Sequence, residues 1–305
     1  MKVRIGISLG PAGGPAEFAA AVDRLEANGI DSLWLPEMVF GSLVEPLVGM
    51  AYALSRTSRL KVGTGIYVLP GRQPVLVAKQ IASLAALAPG RVLPVFGLKP
   101  ARPDEVPLFH PRGQRAAVFD ESLELLRLLL RQEKVTFSGE FFSVSEATIG
   151  QPPGKPIDIW LGGSAPAALR RVGRFGDGWL ASFMTPAQAR AGRGEIEAAA
   201  AQAGREVEPD HFGISLAVGP GGIPPDLAET IRARRPGVDP AGLAAGSWAD
   251  ARRLIEEYVG AGLSKFVIRP AGTDDFGRFI DGFATELMPL QKVLSSIGSF
   301  GSFPN

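Results

Sequence analysis

The sequence predicts a single (β/α)8 TIM barrel, an α/β fold carrying an inserted hairpin and long loop segments. Three observations point there. Short aliphatic or β-branched runs alternate with amphipathic helical stretches along the whole chain, eight times over. No linker interrupts the 305 residues, whereas an open doubly wound sheet would need fewer strands or a domain break. A chain this long buries roughly three quarters of its unfolded surface, so the core needs no staple, and the sequence has no cysteine to supply one.

The units follow in order. "VRIGISL" (Val3 to Leu9) is the first strand; the helix after it lines up Phe18, Val22 and Leu25 and stops at Gly29. "DSLWL" (Asp31 to Leu35) is the second, followed by a helix near Pro46 to Arg56. "LKVGTG" (Leu60 to Gly65) is the third, and a helix starting near Pro74 stacks Ile81, Leu84 and Leu87. "RVLPVFG" (Arg91 to Gly97) is the fourth, although Pro94 is out of place in a central strand. After a long loop, Phe119, Leu123, Leu126 and Leu130 repeat at helical spacing. "KVTFSGEFFSV" (Lys134 to Val144) alternates about a Ser-Gly turn, as an inserted hairpin does. "IDIWLGG", "DGWLAS", "FGISLAV" and "KFVIRP" are strands five to eight. The last two helices bury Leu254, Ile255 and Tyr258, then Phe276, Phe279, Phe283 and Leu287. The Gly- and Pro-rich segment from Gly219 to Ser247 is expected to be a mobile loop. One domain over 1–297 is expected, with a Gly/Ser-rich tail at 298–305.

Composition removes several function classes. Without cysteine, and with His110 and His211 as the only histidines, neither a Cys/His zinc site nor a cysteine nucleophile is available, and no metal is expected. The 32 basic and 31 acidic residues leave no electrostatic footprint for nucleic acid or an anionic membrane. The start lacks a signal-peptide core and no apolar run is long enough to span a bilayer, so a soluble cytoplasmic protein is expected.

Barrel enzymes work at the C-terminal ends of their strands. The residues to weigh are therefore Glu37 and Met38; Thr64, Gly65 and Ile66; Gly97 to Lys99; Gly162, Gly163 and Ser164; Trp179 to Ser182; and Arg269. "LGGSAPAALRR" sets two glycines, Ser164 and Ala165 before Pro166 at a strand-to-helix turn, where free amides favour an anion. An ordinary βα turn reads equally well there, and the run matches neither the Walker pattern nor GxGxxG. In "GTGIYVLPGRQP", glycines flank Thr64 where a flat ring can lie on bare backbone, with barrel packing as the plainer reading. Glu37 can pair with an arginine, His110 sits in a loop, and Arg269 meets either a phosphate or a barrel carboxylate. So few acids and bases point to a cofactor that carries the reaction.

The chain resembles the luciferase-like monooxygenases, the flavin- or deazaflavin-dependent branch of the barrel fold. "SLWLPE", "LKVGTGIYVLPGRQPVLVAKQIASLAALAPGRV", "VTFSGEFFSV" and "KPIDIWLGGSAPAALRRVGRFGDGW" carry the match in order and spacing. The resemblance implies an oxidoreductase that binds coenzyme F-420 or FMN over the barrel mouth and acts on a small molecule. It implies a non-proline cis peptide at Gly65–Ile66 and cofactor contacts at Thr64, Gly65, Ile66, Gly97, Lys99, Gly162, Gly163, Ser164, Ala165, Trp179 and Arg269. Met38, Phe40 and Phe183 would border the substrate, and a homodimer through the helices after strands two and three is the default. Two departures matter. Met38 replaces a histidine frequent in coenzyme F-420 users, and Pro100 falls near the place of an acid after strand four. Acid–base work is then absent or falls to Glu37, Tyr67 or His110. Lys99, Arg102 and Arg112 suit the acidic tail of coenzyme F-420, which is preferred for hydride transfer. The alternatives are FMN-dependent monooxygenation, a barrel that binds cofactor without catalysis, and a non-flavin enzyme using "GGSAP" as a cup for a sugar phosphate.

Overall fold

The computed structural model describes residues 2–10, 15–273 and 275–297; the expected tail at 298–305 lies outside the described residues. The barrel strands are β1 (Arg4–Ser8), β2 (Ser32–Leu35), β3 (Lys61–Thr64) with β4 (Tyr67–Val68), β5 (Val92–Leu93) with β6 (Val95–Gly97), β9 (Trp160–Gly162), β10 (Gly178–Ser182), β11 (Phe212–Val218) and β13 (Lys265–Pro270). Around them run α1 (Pro15–Ala27), α2 (Pro46–Arg56), α3 (Pro74–Leu87), α4 (Arg115–Arg131), α5 (Pro166–Phe175), α6 (Pro186–Gln202), α7 (Pro225–Arg234), α8 (Trp248–Gly260), α9 (Phe276–Glu286) and α10 (Met288–Ile297). The hairpin β7 (Val135–Ser138) and β8 (Ser143–Ala147) forms its own antiparallel pair outside the barrel.

The strand order is β4-β6-β9-β10-β11-β13-β1-β2-β3-β5, every pairing in it parallel. Because β3 and β4 are consecutive halves of one strand, and β5 and β6 of the next, that order closes on itself. The third and fourth expected strands are thus each broken in two. The second break explains how Pro94 is tolerated. Between β5 and β6 the Thr64 hydroxyl donates to the Val95 carbonyl and accepts from the Val95 amide, each at 2.8 Å. One side chain thereby supplies two bonds that an interrupted backbone ladder leaves open.

The lumen is filled. Trp34, Val95, Trp160, Leu180 and Val267 form one buried cluster inside the strands, with Leu93 and Ile66 against it. At the floor, Asp31 takes Lys265 and Lys61, each at 3.0 Å, with Arg4 at 3.7 Å. Burial alone would raise the Asp31 carboxyl, but the two lysines outweigh it and hold it well below the usual carboxylate range.

The segment after β11 is a correction to the sequence reading. It is no structureless loop: it contains α7, whose Leu227, Ala228 and Ile231 are buried, and β12 (Ala244–Ala245), which pairs in parallel with the end of β11. Helical spacing of these apolar residues survives among the glycines and prolines that punctuate the segment.

Candidate functional site

Side chains alternate along a strand, so the residue two beyond each lumen residue stands in the mouth layer. Gly97 follows Val95, Gly162 follows Trp160, Ser182 follows Leu180 and Arg269 follows Val267. The gap between β3 and β4 is Gly65–Ile66, and its peptide bond is cis, at the position the family resemblance implied. Gly65 is exposed and Ile66 half-buried. The Ile66 side chain lies across two glycines: a Cβ at Gly97 would stand 1.8 Å from its Cδ1, and one at Gly162 would stand 3.0 Å from its Cγ2. That side of the mouth is therefore mostly backbone, with one isoleucine lying flat over it.

The turn from β9 into α5 continues this wall. Gly163 has φ 117°, and its Cβ would stand 2.8 Å from that of Ala168, so glycine is required on both counts. Ser164 and Ala165 are exposed. Pro166 opens the helix without an N–H, and Ala165 caps it without a side-chain bond. The amides of Ser164, Ala165 and Ala167 donate to no atom of the described residues. Three unpaired donors at the positive end of a helix make a place for an anion. Trp179 holds the turn from behind, its indole N–H donating to the Gly163 carbonyl at 2.8 Å.

The three residues expected to do acid–base work are placed differently. Glu37 is buried, accepts from the Val68 amide at 2.7 Å and pairs with Arg72 at 2.6 Å. Burial pushes its carboxyl above the usual range, a rise only partly offset by Arg72 and the Val68 amide. Tyr67 is packed among the helices, and burial pushes its hydroxyl up to about 12. The Arg72 guanidinium lies over the Tyr67 ring at 4.0 Å and the Phe109 ring at 4.9 Å, stacking the two loops together. His110 is exposed on the following segment. Glu37 and Tyr67 are thus held by neighbours, while the exposed His110 side chain has no hydrogen-bond partner among the described residues.

Thr64 and Trp179, expected as direct contacts, are both fully buried, and each bonds to backbone, Thr64 to Val95 and Trp179 to Gly163. Lys99 is exposed, and Arg102 is engaged by Asp104 at 2.6 Å and by the Phe40 carbonyl at 3.1 Å. Of the expected substrate neighbours, Met38 and Phe183 are half-buried and Phe40 is exposed. Phe183 has φ 52°, and the Arg234 guanidinium lies 5.0 Å from its ring. The sequence reading missed Arg72, Arg234 and Glu105. Glu105 is fully buried, and it accepts the Phe40 amide at 2.9 Å, tying the loop after β6 to the loop after β2. An acidic residue inside "RPDEVPL" carries no sequence sign of such burial. Among the described residues no helix is long and apolar enough to cross a membrane, and no group of three or more potential ligands could hold a metal ion.

Comparison with known proteins places this mouth in a family. The family model of the luciferase-like monooxygenases matches residues 1–221, and the chain belongs to that family. An F-420-dependent glucose-6-phosphate dehydrogenase of Kineococcus radiotolerans is 29% identical over 175 residues, 54% of this chain and 52% of that protein. The chain spans about half the length of the curated relatives it matches in this way. Among solved structures, an F-420-dependent secondary alcohol dehydrogenase in complex with an F-420–acetone adduct superposes with TM-score 0.77 at 20% identity, covering 94% of this chain and 98% of that one. The oxygenating constituent of 3,6-diketocamphane monooxygenase from Pseudomonas putida, in complex with FMN, superposes with TM-score 0.71 at 16% identity, covering 95% and 99%. At these identities the structures share the fold.

Proposed function

We propose that this chain is a flavin-type oxidoreductase that uses coenzyme F-420 for hydride transfer to or from a small organic molecule in the cytoplasm. The observation that carries the proposal is the pairing of a bare backbone platform with an anion cradle on one side of the mouth. Gly65, Ile66, Gly97 and Gly162 offer a flat surface suited to fused rings. The unpaired amides of Ser164, Ala165 and Ala167 suit the phosphate of the cofactor's arm. Exposed Lys99 lies on the loop after β6, where an acidic tail extending from the mouth would pass. The bound deazaflavin would supply the hydride chemistry. The protein's part is to seat the ring on Ile66, fix the phosphate with backbone amides, and exclude water above it with the loops tied by Glu105 and Arg234. Glu37 serves this by holding the Val68 amide and Arg72, which sets the position of the platform's far end. The F-420-dependent names of the matched relatives favour the deazaflavin.

FMN-dependent monooxygenation is the second reading, favoured by the FMN-bound monooxygenase that shares the fold. Both cofactors have a tricyclic ring and a phosphate, so the cradle fits either. Fluorescence titration of the purified chain with each decides: tighter binding of coenzyme F-420 supports the proposal, tighter binding of FMN the second reading, and binding of neither removes both.

We further propose a homodimer through α2 and α3. Val48 and Tyr52 on α2 are 63% and 42% exposed, and Leu76 and Leu87 on α3 are 64% and 83% exposed. Exposed apolar side chains of this size on two neighbouring helices suit an interaction face.

A further inference from the structure

Arg269 is inward-facing and half-buried, yet its guanidinium makes no hydrogen bond or ion pair with the described residues. Elsewhere in the fold Arg72, Arg127, Arg171 and Arg205 each meet a carboxylate. Arg269 sits on β13 directly above Val267 of the lumen cluster and beside Ala217 of β11. Ala217 shares a buried cluster with Leu227 and Ile231 of α7, and Phe183 packs against it. Arg234, the last residue of α7, lies over the Phe183 ring and donates to the Ala101 carbonyl at 3.2 Å, reaching across to the loop after β6. No carboxylate of the described residues stands within 4.0 Å of either guanidinium. This corner is three strands round the barrel from the turn at Gly162 after β9, counting β10, β11 and β13.

We propose that Arg269 and Arg234, with the Phe183 ring beside them, form a substrate subsite for an oxyanion, so that the substrate carries a carboxylate or a phosphate. This deepens the oxidoreductase reading and rests on it for the word substrate. Taking a guanidinium out of water without a counter-charge is costly, and a bound anion supplies the missing charge through paired N–H donors. Burial lowers the proton affinity of Arg269, and the nearby Arg234 adds to the effect with the same sign, as expected for two cations facing one space without an acid. Phe183, held at positive φ, presents an apolar wall beside the charges, and backbone held in this region is concentrated at ligand sites. The cofactor's own phosphate is already provided for at Ser164, Ala165 and Ala167, on another part of the rim. The two anion sites therefore bracket the platform.

The test is thermal melting of the full chain in increasing inorganic phosphate and, separately, benzoate, against sodium chloride at matched ionic strength, with coenzyme F-420 titrated in parallel. The proposal expects a saturable rise with at least one anion that chloride does not give. Phosphate alone marks a phosphoester substrate, benzoate alone a carboxylate. Arg269→Gln should lose that rise and melt higher than the natural chain in anion-free buffer, because it removes an uncompensated charge. Arg234→Gln, an exposed change that leaves the core intact, should weaken the anion about tenfold. Coenzyme F-420 should bind Arg269→Gln within about twofold of the natural chain. Equal anion responses in Arg269→Gln and the natural chain overturn the proposal, and so does a response no better than chloride. Loss of coenzyme F-420 affinity in Arg269→Gln also overturns it, by assigning the arginine to the cofactor. An anion response in a chain that binds neither coenzyme F-420 here nor FMN in the fluorescence titration supports the subsite and removes the oxidoreductase reading.

Discussion

Replacing Gly97 with alanine tests the platform where its geometry is tightest. The new Cβ would fall 1.8 Å from Ile66 Cδ1, 3.0 Å from Cγ1 and 3.4 Å from Cβ. The first distance is impossible, but the atom is the far end of a flexible side chain, so Ile66 turns and the barrel survives. Overpacking of this kind costs about 1–3 kcal/mol, which lowers the melting temperature by a few degrees in a chain of this size. Gly162 closes the other flank, since even a Cβ there would stand 3.0 Å from Ile66 Cγ2. The displaced side chain therefore has to move outward, into the space assigned to the ring. Fluorescence titration should show coenzyme F-420 bound at least about tenfold more weakly, a loss of roughly 1.4 kcal/mol. Adding Ile66→Val deletes the clashing Cδ1, and the double variant should recover most of that affinity, a coupling expected of residues in contact. Gly97→Ala binding the cofactor as the natural chain does would refute the idea that the ring lies on Ile66.

Four further outcomes follow from the same structure. Thr64→Val keeps the shape but leaves the Val95 amide and carbonyl without partners; denaturant unfolding should show a loss of roughly 2–4 kcal/mol. Trp179→Phe removes the bond to the Gly163 carbonyl; cofactor affinity should fall several-fold while the far-ultraviolet circular dichroism spectrum stays unchanged. Asp31→Asn leaves Lys265 buried beside an uncharged partner and should cost about 3–5 kcal/mol near neutral pH. The Asp31 carboxyl is held below its ordinary value, so its stabilisation is complete above about pH 4 and is lost as pH falls through the depressed value. The gap between the two proteins should accordingly narrow only in acid, and a gap independent of pH would contradict the pairing. Val48→Glu with Leu76→Glu places charge on the exposed face of α2 and α3; light scattering should report a monomer, and an unchanged mass would remove the proposed interface.

Much of this was legible in the sequence because it is local. Each barrel strand shows as an aliphatic run, the hairpin as alternation about Ser138–Gly139, and the β9–α5 turn as Gly-Gly-Ser before a proline. What escaped is built from partners distant along the chain. Pro94 stood out as a misfit, but its remedy is Thr64, which meets Val95 from 31 positions away. Glu37 follows the second strand in plain sight, yet its partner Arg72 lies 35 positions on. In "GIPPDLAETIRARRPG" the prolines and glycines mark a loop to the eye, while Leu227 and Ile231 one turn apart carry the buried face of α7. Arg234 and Arg269 lie 35 residues apart, and only closure of the barrel brings them to one corner. The family resemblance located the Gly65–Ile66 bond, which no periodicity would have singled out.

The central claim is that the barrel mouth holds a deazaflavin. Its most direct test is the absorbance spectrum of the full chain purified from a host that makes both coenzyme F-420 and FMN. The account predicts that a deazaflavin chromophore accompanies the protein and is released on denaturation in a ratio near one per chain. A protein that carries neither chromophore, and takes up neither when each is added in excess, would contradict it.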